Sequence, residues 1–138
     1  MLMREWAFPI FAAVLCWGIW AFLPKLSGQL IDSKSALVYQ GLGILFIVLV
    51  VFLRLGDQIE THPKSVILDI AAGILNGLGI LFYIKAASKG SISVVSTLSA
   101  LYPLVTITLA VVFLQEELTF KQIVGIGFAL FSIILVTI

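Results

Sequence analysis

Residues 36–55 read ALVYQGLGILFIVLVVFLRL, twenty residues in which Arg54 carries the one charge. An α-helix of that length reaches about 30 Å, the thickness of the hydrocarbon core of a bilayer. Working outward, comparable apolar runs occupy residues 6–26, 66–87, 93–114 and 122–138. Each is about 17–23 residues long, as a membrane-crossing helix requires. Lipid offers no hydrogen bonds to bare backbone, so such segments form helices or a closed barrel. Barrel strands would be about half as long and alternate in polarity, and these runs do neither. The expected fold is an all-α membrane protein, a five-transmembrane-helix bundle making a single domain over residues 1–138.

Composition agrees. Of 138 residues, 62% are apolar and 11% charged, against roughly a quarter charged in soluble domains. The formal net charge of +1 offers no surface for a polyanion, so no nucleic-acid partner is expected; the lipid bilayer is. Cys16 stands alone in an apolar run, which excludes an intrachain disulfide and a cysteine-based zinc site. No cofactor or metal is expected. The first run is too long for a secretory signal, Arg4 is the only basic side chain before it, and more spans follow, so it reads as a retained helix.

The connections are short. Residues 28–35 are a polar link. Residues 54–65 form the only long polar segment, where Thr61 and Pro63 suit a helix start. Residues 88–92 turn around Gly90, and residues 115–121 place Thr119 and Gln122 at the spacing of a capping box. Glu5 and Asp69 fall at span ends.

An odd number of spans puts the termini on opposite sides of the membrane. One side then holds Arg4, Arg54, Lys64 and Lys121, and the other Lys25, Lys34, Lys85 and Lys89. Orientation normally follows an excess of Lys and Arg in cytoplasmic loops, and four against four gives none. Either the bias is weak by chance, or the chain inserts both ways and pairs with an inverted copy of itself, building from two chains what many transporters build from inverted repeats.

Successive residues of a helix turn by 100°, which aligns Ala13, Trp17, Trp20 and Pro24 in the first span. The third aligns Ala72, Asn76, Tyr83 and Ala87, with Gly79 beside them. The fourth aligns Ser96, Ser99, Pro103, Thr106 and Ala110, and the fifth Gly125, Ala129, Ser132 and Val136. Small residues let helices approach closely in lipid, which accounts for the fifth-span stripe and for the Gly73/Gly77 pair. Asn76 is different, because an amide near mid-span needs a partner. Pro103 withholds a hydrogen bond from the Ser99 carbonyl and kinks its helix, a candidate hinge. Asn76, Tyr83, Ser96 and Ser99 either line a solute cavity or bond between helices. Trp6 is an interfacial anchor; Trp17 and Trp20 lie deeper and either wall a pocket or fill space.

Residues 82–96, reading FYIKAASKGSISVVS, resemble the turn from third to fourth helix in the EamA-type repeat of the drug/metabolite transporter superfamily. The likeness continues through Leu98, Leu101, Tyr102 and Pro103 to Glu116-Glu117-Leu118-Thr119, then Gln122 and Gly125. Trp17-Gly18, followed by Lys25, is similar to the start of that repeat. Most members carry two inverted repeats, so this chain looks like the short single-repeat form, which needs a partner: an antiparallel second copy or a paired homologous subunit. The resemblance implies a multi-pass protein of the inner or plasma membrane that transports small metabolites, commonly exporting amino acids or related compounds, by alternating access. On position and face, substrate-binding candidates are Trp17, Trp20, Asn76, Tyr83, Ser96, Ser99 and Tyr102. Glu116 or Glu117 matches the family's acidic position but sits at a loop, where capping is the simpler role.

The related small multidrug resistance proteins use a membrane-embedded carboxylate to exchange protons for cationic drugs. No span here has Asp or Glu near its middle, so a neutral or zwitterionic solute fits better. An enzyme is not expected, since the lone His62 lies in the polar loop. A non-transporting membrane partner, such as an assembly or regulatory subunit, remains the alternative.

Overall fold

The structure is a computed structural model that describes residues 6–137; Arg4 and Glu5, used above as a flanking charge and a span end, lie outside the described residues. Among the described residues six α-helices follow in order: α1 (Ala7–Ser27), α2 (Ser33–Leu55), α3 (Pro63–Lys89), α4 (Ile92–Ser99), α5 (Tyr102–Leu114) and α6 (Phe120–Thr137). A 3-10 turn, Gly56–Gln58, follows α2. Four stretches among the described residues are long and apolar enough to cross a membrane: α1, α2, α3 and Ile92–Leu114, which joins α4 to α5. Helix α6 is a further apolar helix of 18 residues, about 27 Å long. The chain is an all-α membrane protein.

Local chemistry sets the helix ends. Helix α2 begins at Ser33, ahead of the apolar run, because the Asp32 carboxylate caps it, accepting from the Ser35 N–H at 2.7 Å. Pro63 opens α3, where a missing N–H costs nothing. Gly56 ends α2 at φ +52, a conformation that glycine adopts without a steric penalty. The capping box before α6 forms: Thr119 N–H donates to Gln122 Oε1 at 2.8 Å, and Gln122 N–H to Thr119 Oγ1 at 3.4 Å.

Hydrogen bonds from Ser35, side chain first and then backbone, hold the Asp32 carboxyl below its ordinary value, with a smaller aid from the Lys34 charge. A depressed carboxylate contributes stability that is present above its unfolded pKa, about 3.9, and lost as pH falls through the folded one. Thermal unfolding followed from neutral to acid pH should therefore show wild type losing its advantage over Asp32→Ala only below about pH 4. A gap between the two proteins that stays constant with pH would refute this.

The chain forms two compact units, one ending at Lys89 and one beginning at Gly90. In the first, α3 packs against both α1 and α2. Ala36, Ile80 and Ile84 form the core, with Trp20 and Leu37 laid against it. Pro24 and Ala87 are also buried. Most other large apolar side chains are exposed, among them Phe46, Leu53 and Leu75. Such a surface would aggregate in water and is the expected one where lipid is the solvent. In the second unit α4 packs against α6. At Gly73 and Gly77 an added Cβ would meet nothing within 4 Å, whereas at Gly28 it would fall 2.8 Å from the Pro24 carbonyl oxygen and 2.9 Å from Ser88 Cβ.

The fourth span is interrupted. Instead of one kinked helix over residues 93–114, α4 stops at Ser99 and α5 restarts at Tyr102. Pro103 lies in the first turn of α5, where proline is tolerated because that N–H has no helical acceptor. The break therefore precedes the proline.

Candidate functional site

Pro24 and the close approach at Gly28 hold the last turns of α1 against the end of α3. Here the structure brings two of the candidate residues together. The Trp20 and Tyr83 rings meet with centroids 5.0 Å apart, tilted by 32°, a separation at which aromatic pairs attract. Both polar tips are engaged. Trp20 Nε1–H donates to Gln40 Oε1 at 3.0 Å, and the Tyr83 hydroxyl donates to the Ala21 carbonyl at 2.9 Å. Pro24, inside α1, has no N–H to give to the Trp20 carbonyl one residue before that acceptor. Sequence reasoning missed Gln40. Its signal was available, since an amide within an apolar span invites the question asked of Asn76.

Beside this cluster an open groove of about 400 Å³ runs between α1 and α2. Leu23, Leu26 and Ile31 supply apolar wall, and Trp20, Tyr39 and Gln40 bring polar atoms to it. This is the usual composition of a small-molecule site, mostly apolar with a few placed polar groups. A second groove, about 390 Å³ on α6, is lined by Val124, Gly127, Phe128 and Phe131 and has nothing polar in a side chain.

Within the first unit, neither Trp17 nor Asn76 takes part in the hydrogen bonds or the ring contact that make this cluster. Trp17 is 57% exposed, although it is only 60° around the helix from Trp20. Asn76 lies two turns before Tyr83 on α3, exposed. In the second unit, Ser96 is half-buried while Ser99, Tyr102 and Pro103 are exposed. Ser99 Oγ donates to the Ser96 carbonyl at 2.7 Å. Among the described residues no three His, Cys, Asp or Glu side chains gather as metal ligands.

Apolar helices of spanning length, with an uncharged aromatic–amide cluster and a groove beside it, define a polytopic membrane protein. The chain belongs to the EamA-like transporter family, whose model matches residues 4–138. That family places it among membrane transporters of small solutes. An uncharacterized protein of Methanocaldococcus jannaschii is 30% identical over 122 residues, covering 88% of each chain. No solved structure matches.

Proposed function

We infer that this protein is a secondary transporter, in the cell membrane, that exports small neutral or zwitterionic, amino-acid-like solutes by alternating access. The observation that carries the solute class is the Trp20–Gln40–Tyr83 cluster beside its groove, a set of uncharged donors and acceptors with no carboxylate in it. Such groups recognise hydroxyls, amides and carboxylates without requiring a cation. The working unit is an antiparallel pair of chains, or this chain with a homologous subunit. Its support is the four-against-four division of Lys and Arg between the two sides, which leaves insertion unbiased.

A second reading, a non-transporting assembly or regulatory subunit, draws on one observation: Trp20 and Tyr83 find hydrogen-bond partners within the chain. Two measurements separate these readings. Proteoliposomes holding the purified protein should release labelled neutral amino acids faster than empty vesicles, and no excess over a broad solute panel favours the subunit. A reporter fused to the C-terminus should give signal from both sides of the membrane. Signal from one side alone would eliminate the inverted homodimer and leave a separate partner.

A further inference from the structure

The break in the fourth span has a one-sided hydrogen-bonding chemistry. Pro103 has no N–H for the Ser99 carbonyl, and the Leu104 N–H, which a continuous helix would give to Ala100, goes to the Leu101 carbonyl at 3.0 Å. Two successive carbonyls, Ser99 and Ala100, thus lose their helical i→i+4 donors about a third of the way along a 23-residue span. Lipid cannot replace those donors, and irregular backbone at this depth is tolerated where protein or a polar cavity satisfies it. Two N–H groups of the break are spent: Ala100 donates to Ser96 and Thr97, and Leu101 to Leu98.

Four hydroxyls of the span are committed in the same sense. Thr97 Oγ1 donates to the Ser93 carbonyl at 2.7 Å and Ser99 Oγ to Ser96 at 2.7 Å. In α5, Thr106 donates to Tyr102 and Thr108 to Leu104. With their protons turned into the backbone, these oxygens have only lone pairs left to offer. Residues 92–114 contain no charged side chain. An anion would meet no cationic side chain in this stretch and two carbonyl oxygens without helical donors. A divalent ion would find no carboxylate to offset its dehydration. What matches neutral oxygen acceptors at a helix break is a small monovalent cation, as at the unwound helices of other transporters.

We propose that the Ser99–Ala100 break binds a small monovalent cation through backbone carbonyl and hydroxyl oxygens, the cation being an alkali ion or the ammonium end of a solute. The site is a matter of binding and stands whether or not the chain transports. The test is thermal unfolding of the full chain in phosphatidylcholine nanodiscs, with sodium, potassium or methylammonium chloride compared with choline chloride at constant ionic strength. A rise of a few degrees with sodium or potassium identifies a resident ion; a rise with methylammonium alone identifies a solute amine. Pro103→Ala restores an N–H to the Ser99 carbonyl and should abolish the rise. Ser99→Ala removes one hydroxyl acceptor, leaves the backbone alone and should reduce it. Equal unfolding in all four salts overturns the proposal, as does a rise that both variants keep. Solute flux without any cation effect would sink this site and spare the transport reading; a cation effect without flux would do the reverse.

Discussion

Gly28→Ala should lower the stability of the protein by about 1–3 kcal/mol, the usual cost of forcing an extra carbon into a packed site. The reason is steric alone. Gly28 has φ −66 and ψ −9, a conformation open to any residue, so no backbone freedom is being lost. Its missing Cβ, however, would sit 2.8 Å from the Pro24 carbonyl oxygen, 2.9 Å from Ser88 Cβ and 3.4 Å from Ser88 Cα. The Pro24 oxygen is backbone of α1 itself, and the Ser88 carbons belong to α3 and retreat only if the two helices separate. Gly18→Ala is the matched control, because nothing lies within 4 Å of a Cβ there. Inside α1 it should be neutral or stabilising by up to about 1 kcal/mol. Thermal unfolding in detergent reads both. If Gly28→Ala unfolds with Gly18→Ala at or above wild type, α1 and α3 do not meet as described.

The membrane fold was legible because it is written in composition and run length, which are local properties. The helix ends were nearly as readable wherever a side chain caps them, as at Thr119 and Gln122. The fourth span shows where local reading fails. Pro103 announces a lost hydrogen bond, but one sequence cannot say whether the helix bends through the proline or restarts at it. The structure restarts at Tyr102, which puts the proline in the first turn of α5, where its missing N–H breaks no bond within that helix. The helix wheel likewise grouped Trp17 with Trp20, since 60° is within one face. Which of them meets α3 depends on where the helices touch, and that is a non-local fact. The Gln40 amide stands out in its apolar span, but its partner is twenty residues away on another helix, and no periodicity within α2 points to that partner.

The Trp20–Gln40 bond offers the sharpest separation of structural from functional roles, and its disruption should lower solute flux about tenfold or more. Gln40→Leu leaves the indole N–H of Trp20 in an apolar setting without an acceptor, which costs about 1–3 kcal/mol. Trp20→Phe removes the donor, keeps a ring for Tyr83 and leaves the Gln40 amide stranded at similar cost. The double variant strands neither group. Its stability should therefore recover toward wild type, with a coupling of about 1 kcal/mol between the two positions. Flux is the discriminating readout. If the pair only joins α1 to α2, the double variant regains flux along with stability. If it also faces solute in the groove beside α1, stability returns and flux does not, because the groove has lost both an indole donor and an amide. The second pattern is the expected one. Additive losses in stability would mean that the bond is not made in the membrane, and parallel recovery of both quantities would remove Trp20 and Gln40 from the solute path.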